Sequence, residues 1–307
     1  MARPLGSIST NIEPKRLKRL LALEKERRGV AEDKLVFVGI ANLASYYWCA
    51  MHSVLKSRAD EAMFFGAYLA DRIRYSKELG LIRSLPRTDA ELLRVGEEIT
   101  FEDVEKLLAK RPVASSDVSL DAYSFGDSNG GMQMVINPNV SAERRKSLES
   151  DARRNKLKIT DLEKVPIVRG NMMHWNNPEK YRSIRWNFQA GVYVIVGVPD
   201  GITDDSVYEY KTTKSDFLAG FVKPVAFAQA DLYGHFFRRS KKRVQIQVIE
   251  TSKTQTWEEP IDETRVGTLV HDFAQVDAGK LFPHPPKSWK CARCEICGFG
   301  KLCQKQQ

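Results

Sequence analysis

The chain has 307 residues, 42% of them apolar, and its 48 Lys and Arg residues exceed 39 Asp and Glu residues to leave a net charge of +9. The apolar content excludes a wholly disordered chain, and no apolar run reaches the roughly 18 residues of a membrane helix. The first twenty residues show no apolar core ahead of a small-residue cleavage site, so we expect a cytoplasmic protein with no membrane segment.

The first third of the chain predicts helices. Residues 14–28 hold seven Lys or Arg around four leucines, which is typical of a basic amphipathic helix or a flexible arm within residues 1–35. Apolar periodicity predicts two further helices, at residues 41–55 and 58–79, which form the helical start of a core at residues 36–82.

Residues 83–181 are predicted to be a helical insert in one core, because their apolar content is diluted and their charge is high. Thr100 and Asp103 form a capping box that begins a helix, and residues 141–158 predict a charged helix. Between these helices turn-forming residues accumulate, most densely at residues 127–131.

The strand signal is concentrated in residues 182–280, the main part of the predicted core. Two neighbouring strands are predicted at residues 186–199 and 206–212, and Pro224 suits the first turn of a helix that runs to about Arg239. The remaining predicted elements are strands near residues 244–248 and 254–257 and a helix at residues 264–278, ahead of a cysteine-rich segment at residues 281–307.

Two carboxylates and an ammonium are predicted to share one position in the sheet. Asp200 follows a buried strand, and Glu209 and Lys211 lie on one face of the next strand because side chains alternate with period two. This combination suits metal-assisted hydrolysis of a phosphodiester, in which carboxylates and the carbonyl of Tyr210 hold Mg²⁺ or Mn²⁺ and the lysine orients the nucleophile. A solvated hairpin edge is the alternative.

The predicted helix beyond Lys211 carries Gln229 and Tyr233 four residues apart, so that both reach one surface patch. They are candidates to bind a phosphate oxygen or to fix Lys211, and the alternative is an ordinary helix with a buried tyrosine ring. Five cations follow where this helix ends, and beside a phosphodiesterase site they are candidate nucleic-acid contacts: Arg238, Arg239, Lys241, Lys242 and Arg243. A solvated turn is the alternative for this basic segment.

Four of the five cysteines lie within thirteen residues, at Cys291, Cys294, Cys297 and Cys303, while Cys49 stands alone near the start. A disulfide framework is not expected in the cytoplasm. The residues alone leave two metal sites open, a local zinc site in the tail or an iron–sulfur cluster that Cys49 shares with three of the others.

The combined pattern of Asp200, Glu209-x-Lys211 and Gln229-x3-Tyr233, with Cys49 before it and Cys294-x2-Cys297-x5-Cys303 after it, resembles the RecB-like branch of the PD-(D/E)XK nucleases. It is most similar to the iron–sulfur CRISPR-associated exonucleases called Cas-four, which are related to the AddB and exonuclease V nuclease domains. The resemblance covers about residues 38–79 and 187–303.

The resemblance implies an α/β restriction-endonuclease-like fold, a mixed sheet flanked by helices, with a cluster segment at the C-terminal end. It implies a metal-dependent exonuclease that prefers single-stranded DNA, with Asp200 and Glu209 as metal ligands, Lys211 positioning water, and Gln229 and Tyr233 supporting the phosphate. A 4Fe-4S cluster would then be held by Cys49, Cys294, Cys297 and Cys303, with Cys291 left over. CRISPR adaptation proteins are implied as partners.

One family feature is missing at its expected place. The family carries a histidine four residues after a glycine on the second helix, whereas here Gly66 is followed at that distance by Ala70 and then Asp71. Asp71 is therefore a candidate replacement as metal ligand, and we expect the histidines of this chain, at positions 52, 174, 235, 271 and 284, to be structural or exposed. The missing histidine favours a second hypothesis, a non-catalytic iron–sulfur scaffold that binds nucleic acid; a recombination or repair nuclease is a third.

Overall fold

The computed structural model describes residues 12–31, 34–113, 120–126, 131–177, 179–283, 288–291, 294 and 296. Two predicted cluster ligands, Cys297 and Cys303, lie outside the described residues, as does most of the predicted turn at residues 127–131. Among the helices that are described, none is long and apolar enough to span a bilayer.

The N-terminal elements form one side of the core. They are α1 (Pro14–Arg27), β1 (Val36–Gly39), α2 (Ile40–Ala44), a 3-10 turn (Ser45–Tyr47) and α3 (Ala50–Glu78). Of the two forms predicted for residues 14–28 the helix is observed, and it buries Leu17, Leu20 and Leu21. The break before α3 lies at Cys49, not near residue 56 as predicted, because Cys49 has an extended backbone and its sulfur accepts the His52 N–H as an N-cap.

The insert contains a small sheet, so the expectation of a purely helical insert is wrong. Its elements are α4 (Asp89–Arg94), α5 (Phe101–Ala109), β2 (Ala122–Gly126), β3 (Met132–Ile136), α6 (Ala142–Arg154), β4 (Lys158–Asp161), a 3-10 turn (Leu162–Lys164) and α7 (Pro166–Asn176). The capping box of Thr100 and Asp103 begins α5 as predicted. The strands were missed because they are short and lie among turn-forming residues.

Two helices cover the two faces of this small sheet, whose strand order is β2-β3-β4. On one face α6 packs Leu148 and Ala152 against Met134 and Ile136. On the other face α7 packs Val168 and Met172 against Val135, which points the opposite way from its neighbours on the strand. Helix α7 is therefore anchored in the insert.

The C-terminal half supplies the other strands of the core. Its elements are β5 (Trp186–Ala190), β6 (Tyr193–Gly197), β7 (Gly201–Ile202), β8 (Ser206–Thr213), α8 (Asp216–Phe236), β9 (Lys241–Val248), β10 (Thr254–Pro260), α9 (Glu263–Asp277) and α10 (Ser288–Cys291). Gly191, with φ +59°, turns residues 186–199 into two antiparallel strands instead of one. Ser215 caps α8, whose first residue, Asp216, is eight residues ahead of the helix start predicted at Pro224, so Pro224 lies inside the helix.

The strands of the core form two sheets with the orders β1-β6-β5 and β10-β9-β8-β7. The predicted pairing of residues 186–199 with residues 206–212 is therefore wrong, because β6 pairs with β1 and β5 while β8 pairs with β9 and β7. Helix α8 connects the parallel strands β8 and β9 and packs on both.

Helices cover both faces of the pair β1 and β6. Val38 and Ile195 point into the cluster formed with α8 and α9, whereas Phe37 and Val194 point into the cluster formed with α1, α3 and α4. Burial on both faces explains the continuous apolar runs of these strands. The predicted α/β class is confirmed, and mixed sheets flanked by helices are the arrangement expected of a restriction-endonuclease-like fold.

Candidate functional site

The carboxylate of Asp200 lies against the middle of β8. It follows the fully buried strand β6, and its Oδ2 accepts the backbone N–H of Tyr210 at 2.8 Å. The bend predicted between the two strands therefore brings Asp200 alongside Glu209 and Lys211. Because the N–H and C=O of one strand residue point to the same side, the carbonyl of Tyr210 faces the Asp200 side as well.

Glu209 and Lys211 meet on one face of β8, as the period of the strand predicts. The Lys211 ammonium contacts Glu209 Oε1. Glu209 is fully buried, and neither of its carboxylate oxygens has a hydrogen-bond partner with good geometry. Lys211 and Asp200 each remain more than a quarter exposed, so the site is open to solvent on their side.

The pKa values of the two carboxyl groups of this site are shifted in opposite directions. Burial raises the pKa of Glu209 to about 8, with Asp200 adding to the rise and Lys211 opposing it. Burial also acts to raise the pKa of Asp200, but His174, Lys211 and the Tyr210 N–H outweigh it and lower that pKa below its usual value. Two neighbouring carboxylates with pKa values pushed apart are typical of a functional site.

His174 completes the cluster, and the sequence interpretation missed it. Its Nδ1 lies 3.4 Å from Asp200 Oδ1, and its ring packs edge-on against Tyr210 with the ring centroids 4.8 Å apart. His174 therefore lies at the carboxylate site, a position that the expectation of a structural or exposed histidine did not anticipate. A signal was present, because His174 follows Gly170 by four residues on α7, which is the glycine-to-histidine spacing that was sought at Gly66.

The end of α7 is held in place from both directions. Met172 and Val168 are about 1% exposed within the core of the insert. At the C-terminal end Lys180 donates to the carbonyl oxygens of His174 at 3.2 Å and Trp175 at 2.7 Å. The insert therefore contributes a side chain to the site, which its prediction as a helical insert did not foresee.

Gln229 and Tyr233 lie beneath the site, on the buried face of α8. The Tyr233 hydroxyl donates to the carbonyl oxygen of Val198 at 2.8 Å, and Gln229 lies one helical turn before Tyr233 on α8. The Tyr233 hydrogen bond holds the chain just ahead of Asp200. Gly197 permits this approach, because a Cβ there would lie 2.7 Å from Tyr233 Cε1 and 2.6 Å from Ile40 Cδ1.

Asp71 has a different environment from the one expected of a metal ligand. It is buried on α3, both of its oxygens contact Arg185, and Arg74 lies 3.2 Å from Oδ1. Burial raises the pKa of Asp71 while Arg185 and Arg74 act to lower it. The structure places this carboxylate in an ion-pair cluster, and its role as a replacement for the family histidine stays a prediction.

The cations of the basic segment each lie near an acidic side chain, and Arg238 and Lys241 are also largely exposed. Lys242 is 2% exposed and donates to Asp231 at 2.6 Å, and Arg239 donates to Glu105 at 2.7 Å. Lys241 pairs with Asp205 at 2.8 Å. The carboxylates that pair with these cations are distant in sequence, so the pattern of the segment did not indicate them, and its contact with nucleic acid stays a prediction.

The two outer arginines of the segment are engaged in the same way. Arg243 contacts both Glu179 and Glu258, and the bond to Glu179 measures 2.8 Å. Arg238 lies over the ring of Phe101, 4.4 Å from its centroid, and 3.9 Å from Glu102. These ion pairs join β9 to the insert and to β10.

The donor set at Asp200 and Glu209 suits a divalent cation of the Mg²⁺ or Mn²⁺ type. It combines carboxylate oxygens, one backbone carbonyl and one imidazole. Within the described ranges, no three His, Cys, Asp or Glu side chains come close enough together to enclose a metal as they stand. The buried oxygens of Glu209 nevertheless lack well-formed hydrogen bonds, and burial raises the pKa of this carboxyl, an effect that a bound divalent ion would oppose.

The described part of the cysteine-rich segment packs at the start of α3. His52 connects the two, because its N–H donates to Cys49 Sγ at 3.5 Å and its Nδ1 lies 3.4 Å from Cys294 Sγ. Lys290 donates to the carbonyl oxygen of Trp48 at 3.1 Å. Cys49 and Cys294 thus both contact His52, Cys49 at the backbone N–H and Cys294 at the ring.

Comparisons with known proteins add little. No family model and no curated protein matches the chain. The solved structure of SSO0001 is similar over 92% of this chain and 93% of that chain, with 15% identity and a TM-score of 0.33. An alkaline exonuclease (LHK-Exo) from Laribacter hongkongensis is similar over 56% of this chain and 79% of that chain, with 14% identity and a TM-score of 0.23. Because both scores are low, the functional conclusion depends on the side chains described above.

Proposed function

We propose that this protein is a metal-dependent nuclease that hydrolyses phosphodiester bonds in DNA. The observation that carries the proposal is the convergence of His174, Asp200, Glu209 and Lys211, with Glu209 buried and short of hydrogen-bond donors. Their chemistry is that of a hard-cation site beside a positioned ammonium.

Each residue of the site has a distinct role in this proposal. Asp200, Glu209, His174 and the carbonyl of Tyr210 would hold Mg²⁺ or Mn²⁺, which when bound neutralises phosphate charge and lowers the pKa of water. Lys211 keeps its proton, because the attraction of Glu209 and Asp200 outweighs burial and raises its pKa. Its ammonium can therefore donate to a phosphate oxygen or orient the attacking water at the open side of the site.

Gln229 and Tyr233 act indirectly in this scheme. The hydrogen bond from Tyr233 to Val198 positions the backbone that presents Asp200, and Gln229 packs beside it on the buried face of α8. The prediction that they support the phosphate directly is replaced by this positioning role in our proposal. It accounts for their burial, which leaves Tyr233 3% and Gln229 7% exposed.

The finer part of the proposal follows from the resemblance to the Cas-four exonucleases. It comprises exonuclease activity with a preference for single-stranded DNA and a 4Fe-4S cluster on Cys49, Cys294, Cys297 and Cys303. The contacts of Cys49 and Cys294 with His52 support the cluster, because they bring the first predicted ligand and one of the last together. A role in CRISPR spacer acquisition with adaptation proteins, or in recombination or repair, extends the proposal without further support from the chain.

The central test is the variant Lys211→Ala, assayed on end-labelled single- and double-stranded DNA with Mn²⁺, Mg²⁺ or EDTA. We expect wild-type protein to shorten the single strand from an end only when metal is present. Lys211→Ala should lose cleavage by about 1,000-fold or more while it retains the visible absorbance of the cluster. The matched control is Lys214→Ala, since Lys214 is an exposed lysine of the same segment, 3.9 Å from Glu250. Cleavage at the wild-type rate by pure Lys211→Ala would overturn the proposal.

A non-catalytic scaffold is the competing function. The argument for it was the missing metal-binding histidine, and the contact of His174 with Asp200 removes that argument. The same assay separates the two, because a scaffold would bind the labelled DNA in Mn²⁺ without shortening it.

A further inference from the structure

We propose that four exposed cations on the outer side of the insert bind the phosphate backbone of DNA beyond the nuclease site. These residues, which we call the insert patch, are Lys146, Arg153, Lys156 and Lys158. The inference rests on the proposed function, which supplies DNA as the substrate, and it adds the surface along which a long substrate lies. Every member of the insert patch belongs to the described part of the chain, and each is exposed.

The charge of this region is not balanced by its own acids. Residues 141–158 contain seven Lys or Arg and three Asp or Glu, so they carry a net charge of +4 in a chain with a total of +9. Glu149 pairs with Arg145 at 3.0 Å and Asp151 lies 3.8 Å from Arg154, so two of the acids are engaged by other cations. Within the described residues no member of the insert patch forms an ion pair. This distinguishes the insert patch from the basic segment at residues 238–243, where every cation has an acidic neighbour.

Two members of the insert patch lie on the solvent side of α6. Lys146 and Arg153 are seven residues apart, which is close to two helical turns, so they point in nearly the same direction and lie about 10 Å apart along the helix axis. Leu148 and Ala152 cover the small sheet from the other side of the helix. Arg153 Nε donates to the carbonyl oxygen of Glu149 at 3.3 Å, which holds the guanidinium along the helix surface.

Lys156 extends the row past the end of the helix. It follows the C-cap Asn155 and has φ +55°, the left-handed conformation that closes many helices and that favours glycine. The Leu157 N–H donates to the Ala152 carbonyl oxygen at 2.8 Å across this turn. The lysine thus adds a cation at a position where a glycine would satisfy the backbone at no steric cost.

Lys158 brings the row to the face of the small sheet that carries α7. In the parallel pairing of β3 with β4, Thr160 is opposite Val135, whose side chain packs under α7. Because side chains alternate along a strand, Lys158 lies on the same face as Thr160. The insert patch therefore leads from the outer face of α6, past the end of that helix, to the face covered by the helix that brings His174 to Asp200.

A row of cations in this position matches a phosphate backbone. Lys and Arg side chains that neutralise phosphates release bound counterions, so they add affinity that depends on salt and carries no sequence preference. A strand whose end is held at Asp200 is bordered by the insert through His174, and the insert patch continues that border with positive charge. The nuclease site then binds the end of the substrate, and the insert patch holds nucleotides further along the strand.

The test measures binding apart from cleavage. A long labelled strand of thymidines is titrated in EDTA, and its fluorescence anisotropy is followed at several salt concentrations. The neutral variant carries Lys146→Gln, Lys156→Gly and Lys158→Gln, since glycine suits the backbone at residue 156. The arginine variant carries Lys146→Arg, Lys156→Arg and Lys158→Arg and keeps the charge. The matched control replaces three exposed lysines elsewhere in the described chain that also form no ion pair there: Lys77→Gln, Lys110→Gln and Lys253→Gln.

The neutral variant should bind the strand about 10- to 100-fold more weakly than the wild type at about 0.1 M salt. Because each phosphate contact of a single strand contributes about 0.7 to the slope of log affinity against log salt, the loss of three contacts should lower that slope by about 2. The arginine variant and the control should match the wild type in both quantities. Thermal unfolding should show the same midpoint for all four proteins.

The inference is wrong if the neutral variant keeps the wild-type salt slope, if the control loses as much affinity as the neutral variant, or if the arginine variant fails to recover binding. Cleavage of the same strand in Mn²⁺ reports separately on the proposed function. Wild-type protein that binds through the insert patch but does not cleave the strand would refute the nuclease and leave the inference standing. Cleavage by wild-type protein, together with an unchanged salt slope in the neutral variant, would refute the inference alone.

Discussion

Two regions of the molecule gather charged side chains, and they differ in how those charges are compensated. In the basic segment the cations have nearby acidic partners, as Lys242 has in Asp231 and Arg239 has in Glu105. At the carboxylate site Glu209 is fully buried and has no well-formed hydrogen bond. Among the ion pairs of the described residues, its one cationic contact is the Lys211 ammonium. A charge that is already paired stabilises the fold, whereas a buried charge short of partners is available for a ligand.

The largest effect on stability is expected from breaking a buried ion pair of the basic segment. Lys242 donates to Asp231 at 2.6 Å and to the Pro260 carbonyl at 3.0 Å, deep between α8 and β9. We expect Lys242→Met to lower the free energy of unfolding by about 3 kcal/mol, because Asp231 then keeps only Arg265 as a cationic partner. Urea unfolding measures the change. Lys241→Met, at the exposed neighbouring position, should leave the midpoint nearly unchanged, and equal effects of the two variants would contradict the distinction.

A second prediction concerns the residue that the insert adds to the site. His174→Ala should weaken Mn²⁺ binding by about 10- to 100-fold, since it removes one donor beside Asp200. Calorimetric titration of Mn²⁺ provides the measurement. Asp71→Asn is the informative comparison, because its carboxylate is engaged by Arg185 and its loss should leave Mn²⁺ affinity close to that of the wild type. The reverse order of the two variants would return the metal-binding role to Asp71.

A third prediction uses the pH dependence of stability in EDTA. The folded-state pKa of Glu209 is about 8, above the ordinary value near 4.5, so its contribution is fully present below about pH 4.5 and is lost as the pH rises through 8. We expect Glu209→Gln to be more stable than the wild type at pH 9 by on the order of 2 kcal/mol, with little difference at pH 5. Thermal unfolding across this range checks it. If the difference in stability between Glu209→Gln and the wild type does not grow with pH, ionisation of Glu209 does not destabilise the fold, and the prediction is wrong.

The smallest effect is expected where exposed cations of the basic segment are removed. Arg238→Ala with Lys241→Ala, in the Lys211→Ala background, should change the affinity for labelled single-stranded DNA by less than about twofold and leave its salt dependence unaltered. Fluorescence anisotropy at several salt concentrations measures both. A clear fall in the salt slope would restore this segment as a phosphate-binding surface.

Local sequence patterns predicted correctly those features that depend on a single helix or strand. Glu209 and Lys211 share a face because a strand has a period of two, and the structure shows their contact. The capping box at Thr100 and the strand at residues 241–248 also follow from neighbours in sequence. Asp200 was found because it terminates a strand whose apolar run predicts burial on both faces.

Long-range packing decided the features that the pattern missed. His174 lies 26 residues before Asp200, on a helix that packs on the small sheet of the insert and also lies against β8, so nothing local relates the two. The partner of Asp71, Arg185, is 114 residues away in the chain. Residues 186–199 and 206–212 were predicted to be neighbours in one sheet, but they lie in two. Strand β6 pairs with β1 and strand β8 pairs with β9, and both partners come from distant parts of the sequence.

The amino-acid sequence by itself therefore determined the α/β class, the strand that carries Glu209 and Lys211, and the residue types of the candidate site, because these depend on side-chain period and local capping. Only the tertiary structure decided which charges remain available. The five cations of the basic segment are drawn to carboxylates of other elements, and His174 is brought to Asp200 by the packing of the insert. The physical reason is that the state of a charged side chain depends on its neighbours in space, and in this chain those neighbours are mostly distant in sequence.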